Sequence, residues 1–136
     1  MIKKFYTKVD AFSVILFVFS LLYPVIIAIS LKDYKILIVL FFLILFIVYL
    51  FYDTNYTIYK NNLKIRSGFF VNENIDINSI KTIRKTGSIL SAPALSITGR
   101  IEIFYESAKT ITISPKNDKV FFAELLKVNP NINIEI

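Results

Sequence analysis

The uninterrupted apolar run from Ile36 to Tyr52 constrains this chain more than any other feature. It contains no charge, glycine or proline, and its only polar side-chain atoms are the hydroxyls of two tyrosines near its end. At about 1.5 Å per residue, a helix of this length spans roughly 25 Å, which is close to the minimum for crossing a bilayer. A surface helix of a soluble protein has a polar face, and this run has none. The run therefore predicts a transmembrane helix over residues 36–52.

A second apolar run, residues 11–31, precedes it and predicts another transmembrane helix. Pro24 lies inside this run, where we expect it to kink the helix, as membrane helices tolerate. The alternative is a cleaved signal peptide, since a basic lead precedes the run and Ala28-Ile29-Ser30 offers small residues for cleavage. The run is longer than the apolar core of about 7–15 residues that signal peptides have, which favours a permanent span.

The loop of residues 32–35 is so short that the two helices are expected to form an antiparallel hairpin. Both ends of the chain then lie on one side of the membrane. The loop contains two basic residues, Lys32 and Lys35. More basic residues flank the hairpin on the side of the chain ends: Lys3, Lys4, Lys8, Lys60, Lys64 and Arg66. The positive-inside rule therefore predicts a multi-pass protein of the inner (plasma) membrane whose N-terminus and C-terminal domain are cytoplasmic.

The chain of 136 residues contains neither cysteine nor histidine, which removes several kinds of chemistry at once. Disulfides, Cys/His zinc sites, thiol nucleophiles and a histidine general base are all excluded. The acidic residues show neither a paired acid and base nor a metal-binding cluster. The net charge of +6 is spread along the chain, without the dense basic run typical of nucleic-acid binding. We therefore expect no enzyme activity, no cofactor, no metal and no nucleic-acid partner.

From residue 55 the sequence follows the two-residue period of β-strands, and residues 55–132 form the predicted domain. We expect turns at Asn61-Asn62 and at Asn72-Glu73-Asn74, since asparagine tolerates the backbone conformations of tight turns. Ile80 and Ile83 are three residues apart, so both face inward only if Ile80 still belongs to a turn. The alternating runs together predict about six or seven antiparallel strands.

A single C-terminal helix follows these strands. Ser114 is predicted to be its N-cap and Pro115 its first helical residue, a role that explains Ser114 better than that of a nucleophile without a base. Phe121 and Leu125 recur at helical spacing, and Asn129-Pro130 ends the helix. Residues 131–136 alternate again and form either a last edge strand or a frayed end. The helix is expected to cap the open end of the sheet.

Antiparallel strands followed by one capping helix resemble the barrel of pleckstrin-homology (PH) domains. The predicted fold class is therefore mainly β with N-terminal transmembrane helices. A two-helix hairpin (spans of about residues 11–31 and 36–52) precedes a PH-like antiparallel β-barrel or sandwich capped by one C-terminal α-helix.

Several short segments between residues 56 and 132 resemble the YyaB-like bacterial PH domain family. They follow the family's order: Ile77, Ile80 and Ile83, then Ser91-Ala-Pro-Ala-Leu-Ser96, Arg100-Ile-Glu-Ile, Ile113-Ser-Pro115, Phe121, Leu125 and Asn129-Pro130. One departure is the link Ile97-Thr98-Gly99, which is a residue longer than in the family. The resemblance implies a PH-like domain tethered by one or two N-terminal helices. It also implies similarity to a few proteins that act as immunity factors, which protect a bacterium from its own secreted antimicrobial peptide.

The small-residue loop from Ser88 to Gly99 is the first candidate site, because loops on a rigid scaffold often carry binding. Ser91 and Ser96 offer hydroxyls to a ligand there, and Arg100 follows the loop. The alternative is that the apolar residues of this loop pack over the end of the barrel and bind nothing.

A basic set is the second candidate, for contact with anionic lipid head groups. Its members are spread over the predicted strands: Lys60, Lys64, Arg66, Lys81, Arg84 and Lys85. The alternative is a solvated face that keeps strand edges from aggregating. The predicted partners are the lipid bilayer and either its anionic head groups or a membrane protein or peptide.

These observations predict a non-enzymatic, membrane-tethered PH-like binding or scaffold module whose ligand is unknown. The alternative function is self-immunity against a secreted antimicrobial peptide.

Overall fold

The computed structural model describes residues 2–88, 96 and 98–135. In these residues the chain forms, in order, β1 (Ile2–Tyr6), α1 (Ala11–Ser30), α2 (Tyr34–Asp53), β2 (Asn55–Tyr59), β3 (Asn62–Ser67), β4 (Val71–Asp76), a short 3-10 helix (Ile77–Ser79), β5 (Ile80–Lys85), β6 (Ile101–Tyr105), β7 (Lys109–Ile113), α3 (Asp118–Val128) and β8 (Asn133–Glu135). Two apolar helices followed by antiparallel sheets and a C-terminal helix confirm the predicted fold class, except that the strands do not close into a barrel.

Helices α1 and α2 pack against each other through a tight connection in which Lys32 takes a left-handed conformation (φ 52°). Asp33 caps α2 by accepting a hydrogen bond from the backbone N–H of Lys35 at 3.0 Å. Both helices are long and apolar enough to cross a bilayer, and hardly any of their residues are buried within the protein. Pro24 lies inside α1.

The segment that leads into α1 is a strand of the domain, which the sequence pattern did not predict. β1 precedes the two helices and pairs antiparallel with β2, which follows them, from Ile2 opposite Tyr59 to Tyr6 opposite Asn55. The helix hairpin is therefore an insertion between two adjacent strands of one sheet.

The described strands form two four-stranded sheets, with the orders β1-β2-β3-β4 and β7-β6-β5-β8. The neighbouring strands pair antiparallel, with the exception of β8, which pairs parallel with β5. The tail after Pro130 is thus an edge strand. Its direction differs from the expected antiparallel pattern because α3 carries the chain back before β8 begins.

Two predicted turns are wrong. Tyr59 pairs with Asn62, so the residues of the first turn are Lys60 and Asn61, with Lys60 at φ 51°. Asn72-Glu73-Asn74 lies inside β4, whose exposed polar side chains are typical of an edge strand. The real turn before β4 is Gly68-Phe69-Phe70, where Gly68 has a φ of 53°.

The predicted start of the C-terminal helix is also wrong. α3 begins at Asp118 with Asn117 at the N-cap position, and the predicted cap Ser114 is fully buried several residues earlier. Pro115 forms an isolated antiparallel bridge with Thr7 instead of opening the helix. The buried bonding of Ser114, described below, outweighs its tendency to cap.

The core lies between the two sheets and α3. Ile80 and Ile83 are both buried, because a shift of register between Ile80 and Thr82 lets two residues three apart face inward. Phe121 of α3 is fully buried and meets Phe5 of β1 edge to face, with ring centroids 5.2 Å apart. The N-terminal strand therefore supplies part of the core.

Candidate functional site

The helix hairpin leaves the domain at one end, which is the candidate site. β1 ends at Tyr6 shortly before α1, β2 begins at Asn55 directly after α2, and the N–H of Thr7 donates to the carbonyl of Thr54 at 3.5 Å. We call this the hairpin-proximal end. The turn at Lys60 lies at the opposite end of β2, about 17 Å away at about 3.4 Å per residue.

Asp10 joins the start of α1 to the loop before β6. One carboxylate oxygen accepts the backbone N–H (2.7 Å) and the hydroxyl (2.6 Å) of Ser13, which caps the helix. The other oxygen accepts the hydroxyl of Ser96 and the backbone N–H (3.0 Å) and hydroxyl (3.2 Å) of Thr98. The ammonium of Lys8 also donates to the Thr98 hydroxyl at 3.2 Å. One side chain thus fixes both a helix and a loop.

The environment of Asp10 favours its charged form. Partial burial acts to raise the pKa of Asp10, but the hydrogen bonds from Ser13, Ser96 and Thr98 outweigh it and hold the pKa well below its usual range. The carboxyl is therefore ionised at physiological pH. We interpret Asp10 as a fixed structural acceptor and not as a residue that exchanges protons.

Two of the predicted loop residues are engaged in holding the loop itself. Arg100 is buried, and its guanidinium donates to the carbonyl of Ser96 and, at 2.7 Å, to the carbonyl of Ser88. Ser96 is also fully buried. Ser91 and most of the loop lie outside the described residues. Where the loop is described, these contacts favour the packing alternative over a ligand site.

A buried set of hydroxyls links β1, β2 and the end of β7. The hydroxyls of Thr7 and Ser114 lie 3.1 Å apart, and Tyr56 donates its hydroxyl to Thr7 at 3.2 Å. The backbone N–H of Ser114 donates to the Tyr56 oxygen at 3.2 Å. Burial raises the pKa of Tyr56, although its hydrogen bonds with Thr7 and Ser114 oppose the shift. The phenol therefore stays neutral, and the set is a structural joint.

A second joint connects α2 to β3. The hydroxyls of Thr54 and Ser67 lie 2.8 Å apart, and Thr54 also donates to the carbonyl of Leu50 at 2.8 Å. Arg66 donates through Nε to the Asp53 carboxylate at 3.1 Å. Both helices are thus attached to the domain by polar contacts at their ends.

The predicted basic residues are exposed but divided between the two sheets. Lys64 and Arg66 lie on β3, Lys81, Arg84 and Lys85 lie on β5, and Lys60 lies in the distal turn. Arg84 pairs with Glu102 on the neighbouring strand at 3.0 Å, and its guanidinium stacks over Phe104. Lys85 pairs in register with Ile101, directly after Arg100, and so lies at the hairpin-proximal end of β5.

The turn between β3 and β4 is an apolar feature of this end that sequence reasoning missed. Phe69 and Phe70 are 80% and 75% exposed at its tip. The Phe70 ring lies 6.4 Å from that of Phe46, and the Phe69 ring lies 5.5 Å from that of Tyr49, measured between centroids. Both partners belong to α2, so the turn lies along the helix. Two adjacent aromatic residues after a glycine were a usable signal.

The domain that follows the hairpin matches a known protein family. A model of the bacterial PH domain family matches residues 54–129, which is more than half of the chain. The chain belongs to the bacterial PH domain family. No curated protein and no solved structure matches it.

The family match places the PH domain after the hairpin, although β1 of the same sheet precedes it. PH domains are generally non-catalytic binding modules that bind lipids or proteins, and the match indicates no enzymatic family. In the part of this PH domain that the structure describes, no three His, Cys, Asp or Glu side chains are grouped to hold a metal ion. Membership of this family therefore favours a binding surface at the hairpin-proximal end.

Proposed function

We propose that this protein is a non-enzymatic PH-like binding or scaffold module that a two-helix hairpin holds at the inner membrane. The hairpin crosses the bilayer, and both β1 and the PH domain lie on its cytoplasmic face. The domain spans residues 55–132 together with β1. Its ligand is presented by the membrane, either as anionic lipid head groups or as a membrane protein.

The observation that carries the proposal is the insertion of the hairpin between β1 and β2. A soluble protein would bury such apolar helices, whereas almost none of their residues are buried here. A signal peptide would be cleaved off, and cleavage near Ser30 would remove β1, which supplies Phe5 to the core. A bilayer is the environment that both helices fit.

The insertion also supports the proposed topology. Because β1 and β2 belong to one sheet, the segments before and after the hairpin share one side of the membrane. The excess of basic residues on that side over the loop at Lys32 and Lys35 favours the cytoplasm.

For head-group contact, the structure favours Lys8 and Lys85 over the other basic residues. Both lie at the hairpin-proximal end, where a membrane-spanning hairpin would meet the lipid surface. Arg66 and Arg84 are paired with carboxylates, and Lys60 lies at the far end of β2. Each basic residue near an anionic surface contributes about 1 kcal/mol.

Excision of the hairpin tests the proposal. We would replace residues 11–53 by a short Gly-Ser linker, because the hydrogen bond between Thr7 and Thr54 keeps the joined ends close. The intact chain should remain in membranes through an alkaline carbonate wash, and the excised chain should be folded and soluble. An intact chain that the wash releases would contradict the proposal.

The excised domain then serves to test head-group contact by co-sedimentation with vesicles. Lys85→Glu should weaken its binding to anionic vesicles by about 30-fold, since the reversal changes two charges at about 1 kcal/mol each. Lys60→Glu is the matched control and should have little effect. Equal binding to neutral and anionic vesicles would exclude the lipid alternative and leave a protein ligand.

Self-immunity is the second function, and its support is the YyaB-like resemblance of the sequence. It predicts that expression in a sensitive host protects against a secreted antimicrobial peptide encoded beside the gene. Absence of protection across a panel of such peptides would remove this alternative without affecting the tethered module.

A further inference from the structure

The turn Gly68-Phe69-Phe70, which we call the aromatic turn, exposes two large apolar side chains side by side. Phe69 and Phe70 are 80% and 75% exposed within the protein. An exposed apolar patch of this kind marks a surface that is covered in the working state of a protein. Neither ring takes part in the polar joints or the ion pairs described for the domain.

The turn is held against α2 rather than projecting freely. Gly68 approaches the helix so closely that a β-carbon there would collide with the side chain of Leu50, and its φ of 53° favours glycine. Ser67 anchors the turn through its hydroxyl contact with Thr54 at 2.8 Å. The N–H of Phe70 donates to the carbonyl of Ser67 at 3.3 Å, which satisfies part of the turn's backbone internally. These contacts hold the turn along the end of α2.

The position of the rings along α2 gives their depth. Phe46, which contacts Phe70, precedes the last residue of α2 by seven positions, or about 10 Å at about 1.5 Å per residue. Tyr49, which contacts Phe69, lies about 6 Å from that helix end on the same scale. When α2 spans a bilayer of about 30 Å hydrocarbon thickness, both rings therefore lie below the lipid surface.

We infer that the aromatic turn is embedded in the same leaflet that the hairpin enters, as a third and shallow membrane contact of the protein. This inference rests on the proposed membrane-spanning hairpin. The occupant is the bilayer, because the exposed rings continue the lipid-facing surface of α2 at the same depth. Anchored at α1, α2 and the turn, the PH domain has a fixed orientation toward the head groups.

A single tryptophan tests the depth of the turn, since the chain contains none. We would make Phe70→Trp in the full chain and reconstitute it in vesicles whose lipids carry bromine on the acyl chains. The exposed position accepts the larger ring without repacking of the core. Phe46→Trp in α2 is the matched membrane control, and Tyr59→Trp at the distal end of β2 is the matched solvent control.

We expect Phe70→Trp to emit at short wavelength and to lose fluorescence to brominated lipids nearly as strongly as Phe46→Trp, while Tyr59→Trp is unaffected. Quenching at Phe46→Trp without quenching at Phe70→Trp would overturn the inference and leave the hairpin intact. Short-wavelength emission without quenching would also overturn it, because the ring would then be covered by protein. Lack of quenching at Phe46→Trp would instead contradict the proposed membrane span.

Discussion

At the scale of single residues, Asp10 connects a helix to a loop that is distant in the sequence. It caps α1 through Ser13 and holds the loop before β6 through Ser96 and Thr98. The sequence shows an aspartate before an apolar run, which is a usable N-cap signal. It does not show the loop contacts, because Asp10 and Thr98 are 88 positions apart and meet only after the sheets have formed.

Asp10→Ala should lower the free energy of unfolding by about 2 kcal/mol, from a lost helix cap and unpaired loop donors. Asp33→Ala is the matched control, because Asp33 caps α2 without contacting the domain. It should cost about 0.5–1 kcal/mol. Denaturant unfolding in detergent measures both. Equal losses would show that the loop contacts of Asp10 contribute nothing.

The low pKa of Asp10 adds a pH dependence to this comparison. The folded state holds the carboxyl ionised more strongly than the unfolded state, whose pKa is about 3.9. The advantage of the wild type over Asp10→Ala should therefore be complete above about pH 5 and shrink as the pH falls below about 4. An advantage that does not change down to the acid limit of folding would contradict this role.

At the scale of elements, β1 shows why part of the fold escaped sequence analysis. Its five residues contain two lysines, and only Lys3 and Phe5 alternate inward. Such a strand is recognisable only from its pairing with β2, which lies beyond the hairpin. The long apolar helices, by contrast, were predictable, because apolar residues dominate both of them from end to end. The asparagines of β4 misled the turn prediction because an exposed edge strand and a turn favour the same polar residues.

Phe5→Ala should cost about 2–3 kcal/mol of unfolding free energy, which is less than the loss of about 3–5 kcal/mol for a fully buried phenylalanine, because Phe5 is only partly buried. The lost stability reflects the edge-to-face contact of Phe5 with Phe121 of α3. Tyr6→Ala is the matched control on the outer face of the same strand and should cost about 0.5 kcal/mol. Thermal unfolding in detergent compares them. Two small and equal losses would mean that the N-terminal segment does not belong to the domain.

At the scale of the whole molecule, the hairpin and the PH domain form one unit. A tether attached through a single linker would let the domain turn freely. Here β1 enters the hairpin and β2 leaves it, so the domain is attached at two adjacent points. The polar joints at Asp10 and Thr54 fix both helix ends. In the proposed membrane-spanning arrangement, these two attachment points would restrict which face of the domain meets the membrane.

The most direct test of the account is the sidedness of single cysteines, which the native chain lacks. Each of Lys4→Cys in β1, Lys32→Cys in the hairpin loop and Lys60→Cys in the domain would be exposed to a membrane-impermeant maleimide on right-side-out membrane vesicles. Labelling is expected at Lys32→Cys alone before lysis, and at all three positions afterwards. Labelling of Lys4→Cys or Lys60→Cys on sealed vesicles, or protection of Lys32→Cys, would contradict it.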